Sequence, residues 1–199
     1  NLYDAVAVAA SPSSRGRGVL VVLNNEINGA REVTKTNTFM ANTFRSPDLG
    51  LLGYVQAGKP SFYRATTRKH TGASEFDLAK VTDLPSIEII YGYGGTGRVL
   101  IDGAVGANVR GIVYAGAGQG SLSLDAKAAL ADARTKGIAV VRSSRTGSGI
   151  VPRDKGEGDD DHGFVAGDNL TAQKARILLM LALTVTPDPV RIQEIFWSY

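Results

Sequence analysis

The chain has 199 residues, of which 43% are hydrophobic, and its 22 basic and 19 acidic residues give a net charge of +3. This length can bury a core in one large or two small domains, and so small and scattered a basic excess argues against a nucleic-acid surface. The absence of cysteine excludes disulfides, thiol nucleophiles and cysteine-ligated metals, and two histidines argue against a histidine metal cluster.

The first ten residues, NLYDAVAVAA, predict an amphipathic helix because Leu2, Val6 and Ala9 recur at helical spacing. They contain no Met, no basic segment and no apolar core of the kind a signal peptide has. We therefore expect the chain to be a fragment that begins inside a helix. No apolar run approaches the roughly 20 residues of a membrane span, so no membrane association is expected.

The next elements are extended. GVLVVL, at 18–23, is a β-branched run typical of a buried strand, and NNEING and AREVTKTNT follow it, which predicts a hairpin or a pair of adjacent strands. In that segment Lys35 lies among threonines and shares a face with Val33 and Asn37. The pattern favours a solvated strand lysine, and the alternative is a base whose pKa is lowered by desolvation or nearby cations. Residues 39–86 predict short strands and loops that end in a linker.

From residue 87 onward, strands and helices alternate. The predicted strands are IEIIY, RGIVYAG, GIAVVRSS and GFVAG, and the predicted helices are VLIDGAVGA, Leu122–Lys136, Thr171–Thr184 and Asp188–Trp197. The helix at 122–136 is expected to place Leu124, Ala128 and Ala131 on one face and to stop at Gly137. This alternation predicts a parallel sheet covered on both faces, with ligands beyond the carboxyl ends of its strands.

Two motifs in this half admit a binding role. GAGQG, at 116–120, follows a strand and precedes a helix, but its spacing departs from G-x-G-x-x-G, which favours a tight turn over a nucleotide site. The run Asp159-Asp160-Asp161-His162 lacks the spacing of a calcium loop and is typical of a solvated loop.

Nine segments together resemble the bacterial type II L-asparaginases and the related glutaminase-asparaginases, over essentially the whole chain. In chain order they are NLYDAV, RGVLVVLNNEI, AREVTKTNT, LGYV, RKHT, GIVYAGAGQGS, AVVRSSR, GFVA and QKARILLMLALT. The resemblance implies an α/β fold in two parts. Residues 1–85 would be the C-terminal part of a larger N-terminal domain with its linker, and 86–199 a smaller, flavodoxin-like domain with a parallel sheet.

The resemblance also implies hydrolysis of L-asparagine, and of L-glutamine as well, to the acid and ammonia through a threonine acyl-enzyme. The family's T-G-G-T nucleophile segment and T-D pair would precede this chain, whose one Thr-Asp pair, Thr82-Asp83, lies in the predicted linker. We therefore expect the 199 residues alone to be inactive. The alternative is a fragment that binds an amino acid without turning it over. No cofactor and no metal are implied.

Three site residues follow from matching positions in the family. Lys35 corresponds to the active-site lysine of V-T-K-T-N-T, which would accept the proton of the nucleophile. Ser121 ends the A-G-x-G-x-G-x turn, which reaches a neighbouring subunit's active site. Glu157, one residue from the register position Gly156, is matched to the glutamate that holds the substrate's α-amine. The resemblance further implies a homotetramer built from two close dimers and a periplasmic or secreted location.

Overall fold

The computed structural model describes residues 1–154 and 156–199, and the chain falls into two compact units, Asn1–Ser74 and Glu75–Tyr199. We call them the first unit and the second unit. No helix within the described residues has the length and apolar character that crossing a membrane requires.

The first unit contains one α-helix and a four-stranded antiparallel sheet in the order β1-β2-β5-β6, together with a separate two-stranded ribbon, β3-β4. Its small core is formed by Val8, Ile27 and Val55, where the helix packs on the sheet. The elements are α1 (Leu2–Ala10), β1 (Leu20–Leu23), β2 (Glu26–Gly29), β3 (Thr34–Lys35), β4 (Phe44–Arg45), β5 (Gly53–Gln56) and β6 (Lys59–Phe62), with short 3-10 helices at Pro12–Ser14 and Thr71–Ala73.

The predicted hairpin is present, and its second strand is EING. β1 pairs antiparallel with β2 through a two-residue turn at Asn24 and Asn25, whose φ angles are 51° and 61°. Asparagine tolerates this left-handed conformation better than most residues, so two consecutive asparagines suit the turn. The VTKT segment instead pairs with Phe44–Arg45 in the ribbon.

The second unit is built on a parallel sheet in the order β10-β9-β8-β7. Its elements are β7 (Ile87–Tyr91), α2 (Val99–Gly106), β8 (Gly111–Gly116), α3 (Leu124–Thr135), β9 (Ala139–Ser144), α4 (Asp159–His162), β10 (Val165–Ala166), α5 (Ala172–Ala182) and α6 (Pro189–Ser198), with a 3-10 helix at Leu78–Lys80. The predicted parallel sheet is confirmed, because every strand pair in it runs in the same direction.

Helices cover both faces of this sheet, as predicted. Along β8, Ile112 and Tyr114 belong to the buried cluster that includes α2 and α3, while Val113 and Ala115 belong to the cluster that includes α5 and α6. Successive side chains of a strand point to opposite faces, so one apolar run supplies both cores.

The buried face of α3 differs from the predicted one. Leu124 is 86% exposed, and the buried residues of this helix are Ala126, Ala129, Leu130 and Ala133. These four positions also follow helical spacing, and three of them are alanine, whose small side chain lets a helix lie close to a sheet. The predicted end of the helix is confirmed at Gly137, which has a φ of +81°.

Candidate functional site

The glycine-rich segment after β8 forms a tight turn that presents Ser121. The backbone N–H groups of Gly120 and Ser121 both donate to the carbonyl of Ala117, at 3.0 and 2.9 Å. A Cβ at Gly116 would lie 2.5 Å from the carbonyl oxygen of Ser121, so no larger residue fits there. The glycines therefore serve the turn, and they leave Ser121 exposed near the carboxyl end of β8.

Glu157, in the loop after β9, lies beside the residue that follows Ser121. Its Oε2 accepts a hydrogen bond from the backbone N–H of Leu122 at 3.4 Å and lies 3.5 Å from Nζ of Lys127. Lys127 Nζ also donates to the carbonyl of Gly156 at 3.2 Å. The structure thus brings Ser121 and Glu157 together at one edge of the second unit.

The contacts of Glu157 leave capacity for a ligand. A carboxylate offers about four lone-pair directions, and the two long contacts to Leu122 and Lys127 occupy only part of them. The side chain is mostly buried, at 14% exposed, so a charge-assisted hydrogen bond from an ammonium group would be screened less than at an open surface. A carboxylate placed in this way can accept a hydrogen bond from a cationic group.

The acidic run after Glu157 forms the short helix α4 with Asp159 buried, which corrects the predicted solvated loop, although Asp160 and Asp161 are exposed as expected. Asp159 is 0% exposed, and its carboxylate forms a two-point ion pair with Arg142, whose side chain is also 0% exposed. Asp160 is paired with Arg153 at 2.6 Å. A signal for the buried pair was present in the sequence: Arg142 interrupts an apolar strand, and a charge buried there needs a partner.

Lys35 lies in the first unit, on the short ribbon β3-β4. It is exposed, and its Nζ lies 5.5 Å from the centre of the Phe44 ring, opposite it in the ribbon. The ribbon continues into a tight backbone arrangement around the buried Thr43. The hydroxyl of Thr43 accepts from the backbone N–H of Asn37 at 2.6 Å and donates to the carbonyl of Asn37 at 2.7 Å. The backbone N–H and the hydroxyl of Thr36 both donate to the carbonyl of Thr43. These bonds fix the backbone immediately after Lys35.

Among the residues that the structure describes, no three His, Asp or Glu side chains are placed together to hold a metal ion. The positively charged candidate, Lys35, belongs to the first unit, and the polar candidates Ser121 and Glu157 belong to the second unit. The side chains at these three candidate positions are an amine, a hydroxyl and a carboxylate.

The fold defines an α/β protein whose first unit has an antiparallel sheet and whose second unit has a parallel sheet. In the second unit, the candidate ligand-binding residues lie in loops that follow the carboxyl ends of the strands. The chain belongs to the glutaminase/asparaginase family: residues 86–196 match the Glutaminase/Asparaginase C-terminal domain, and residues 1–68 match the N-terminal asparaginase domain.

Several curated relatives match the whole chain. Among them are an L-asparaginase 2 of Bacillus subtilis (strain 168), 47% identical, a probable periplasmic L-asparaginase of Haemophilus influenzae, 45% identical, and a glutaminase-asparaginase of Pseudomonas fluorescens biotype A, 42% identical. The matches cover 52%, 57% and 55% of those relatives respectively. The chain therefore spans somewhat more than half the length of the curated relatives it matches.

Proposed function

We propose that the protein containing this chain is an amidohydrolase that converts L-asparagine, and also L-glutamine, into the corresponding acid and ammonia. The observation that carries the proposal is the adjacency of Ser121 and Glu157 beyond the ends of β8 and β9, in a chain of the asparaginase family. The names of the relatives, L-asparaginase and glutaminase-asparaginase, support this choice of substrates.

The proposed reaction has two steps and needs no cofactor. A threonine hydroxyl, supplied by a segment outside these 199 residues, attacks the side-chain amide carbon while Lys35 accepts its proton, and ammonia leaves with a proton returned to it. Water then attacks the resulting ester and releases aspartate or glutamate. The ribbon supports this role because the hydrogen bonds around Thr43 hold the backbone after Lys35 in one conformation.

In this proposal Glu157 binds the substrate's ammonium group, and Ser121 contacts the substrate next to that group. Both residues complete the active site that contains Lys35 of a neighbouring subunit. A two-fold axis between two copies creates two such sites at once, because each surface meets its own counterpart. We propose a homotetramer of two close dimers, located in the periplasm or secreted. The periplasmic name of the Haemophilus influenzae relative supports the location.

A second candidate function is amino-acid binding without turnover. It is favoured by one observation: the proposed ammonium-binding group, Glu157, and its neighbour Ser121 are both present in the second unit, whereas the 199 residues contain no T-G-G-T segment.

Ammonia release distinguishes the two functions. One sample is this chain alone, and the other is an extended enzyme in which the part of the Bacillus subtilis relative outside the match precedes Asn1. We expect the extended enzyme to release ammonia from L-asparagine and L-glutamine, and the chain alone to release none. Release by the purified 199-residue chain would refute a nucleophile outside it. Binding of L-aspartate by an extended enzyme that releases no ammonia would favour the binding function.

A further inference from the structure

Arg142 occupies an unusual place for a charged residue. It lies within β9, an inner strand of the parallel sheet, and neither it nor its partner Asp159 is exposed to solvent. Nε and Nη2 of Arg142 donate to the two carboxylate oxygens of Asp159 at 2.5 and 2.6 Å. Burying two charges is costly even when they are paired, so a buried pair of this kind calls for a reason other than stability.

The remaining donors of Arg142 reach two different loops. Nη1 donates to the carbonyls of Gln119 and Gly120, at 3.3 and 3.1 Å, in the turn after β8. Nη2 also donates to the carbonyl of Pro152, at 3.0 Å, in the loop after β9. With the two bonds to Asp159, every N–H of the guanidinium group has an acceptor. One side chain therefore holds both loops.

Asp159 closes the second of these loops on itself. Its Oδ2 accepts from the backbone N–H of Asp154 at 2.7 Å, and Oδ1 of Asp154 accepts from the backbone N–H of Asp159 at 3.0 Å. Glu157 lies in the chain between these two anchor points. Gly120, held by Arg142 in the other loop, directly precedes Ser121.

We propose that Arg142 is a positioning residue that sets substrate affinity, by fixing the turn that presents Ser121 relative to the loop that carries Glu157. The inference rests on the proposed function, because it concerns the substrate groups of that site. Arg142 is buried, so it acts through the two loops. Lysine keeps the charge but lacks the planar fork, and it cannot hold Asp159 and three carbonyls together.

The test uses the extended enzyme with Arg142→Lys and Asp159→Asn, and with Leu130→Ala as the control. Leu130 is fully buried in the cluster that α2 and α3 form with the sheet, so its truncation lowers stability while every hydrogen bond of Arg142 and Asp159 is kept. We expect KM for L-asparagine to rise roughly tenfold or more in the two loop variants, with kcat within about threefold of wild type. KM of Leu130→Ala should stay at the wild-type value.

Hydrogen exchange provides a readout that does not depend on activity. The amides of residues 117–121, 151, 153–154 and 156–158 should exchange faster in Arg142→Lys than in Leu130→Ala, with other described amides of the second unit alike in the two variants. If the extended enzyme shows no amidase activity, the proposed function fails, and a selective exchange effect still supports the coupling of the loops. Equal exchange in the two variants, or a KM equal to that of the control, would overturn the inference.

A milder variant covers the case in which the buried substitutions prevent folding. Asp154 is exposed, and Asp154→Ala removes one of the two bonds that close the loop, the one that its side chain accepts from the backbone N–H of Asp159, while leaving the Arg142–Asp159 pair in place. We expect a rise in KM of about threefold and, among the described amides, faster exchange confined to residues 151, 153–154 and 156–158. An unchanged KM together with unchanged exchange in this folded variant would overturn the inference as well.

Discussion

Removing the carboxylate of Asp159 should be among the most destabilising single changes in the second unit. Asp159→Asn keeps the size of the side chain but leaves the buried guanidinium of Arg142 without its counter-charge. Losing one partner of a buried ion pair typically costs about 3–5 kcal/mol of unfolding free energy. For a domain of this size, that loss lowers Tm by roughly 10–20 °C.

The double variant Arg142→Met/Asp159→Leu separates the charge from the packing. Apolar residues of similar volume often replace a buried ion pair at no net cost, so most of the stability should return. The return should be incomplete, because the buried carbonyl of Gly120 loses its Arg142 donor and an unpaired buried group costs about 1–3 kcal/mol. The expected order of stability is wild type, then the double variant, then Asp159→Asn.

Urea unfolding of this chain, followed by the fluorescence of its single tryptophan, Trp197, measures this order because Trp197 lies on α6 of the second unit. Asp160, which is 62% exposed and paired with Arg153, provides the matched control, since Asp160→Asn removes a carboxylate at the surface and should cost less than about 1 kcal/mol. The reasoning is refuted if Asp159→Asn costs no more than Asp160→Asn, or if the double variant is less stable than the single one.

Three further outcomes are expected. In the extended enzyme, Lys35→Met should lower kcat by a factor of about 10²–10⁴ while substrate binding survives, and the control Lys59→Met, which changes another exposed strand lysine of the first unit, should leave kcat unchanged. Steady-state ammonia assays measure both. If Lys35→Met keeps more than about a tenth of wild-type kcat, Lys35 is a solvated strand residue and not the base. Ser121→Asn should reduce kcat/KM for L-glutamine more than for L-asparagine, because the larger side chain leaves less room for the extra methylene. The difference between the two losses should correspond to about 1–3 kcal/mol of transition-state stabilisation, and equal losses would place Ser121 away from the substrate. Burial raises the pKa of the Tyr114 phenol, so the folded state holds this proton more tightly than the unfolded state, and the unfolding free energy should fall as pH rises above about 10. Urea titrations at about pH 8 and pH 11 should show a smaller loss in Tyr114→Phe than in wild type, and equal losses would contradict the assignment.

The parallel sheet could be predicted from the sequence because its strands are short β-branched runs bounded by glycine. The same method singled out the face of α3 that carries Leu124, Ala128 and Ala131, whereas the buried face carries Leu130 and the alanines at 126, 129 and 133. Hydrophobicity ranks leucine above alanine, but space between a helix and a sheet is limited, and small residues fit where the two approach closely. The pairing of VTKT with residues 44–45 also escaped prediction, because a two-residue strand has no periodicity to detect.

For the site residues, features set by neighbouring residues in the chain could be predicted, and features set by distant residues could not. The turn before Ser121 is encoded locally by its glycines, and so it was predictable as a turn. The roles of Ser121, Glu157 and Lys35 came only from the family resemblance, and they remain predictions. The buried partner of Asp159 lies 17 residues away in the chain, so the local charge pattern indicated a solvated loop.

The position of Arg142 explains why a search for motifs in loops misses part of such a site. In parallel sheets the groups that meet a ligand follow the strand ends, where the sequence is rich in glycine and polar residues. The geometry of two neighbouring loops, however, depends on what joins them, and here that group projects from an apolar strand between them. A lone arginine in a buried strand is costly unless its donors are satisfied, so its presence in the sequence already requires acceptors from more than one segment. The interior of the sheet therefore carries information about the site that the loops themselves do not.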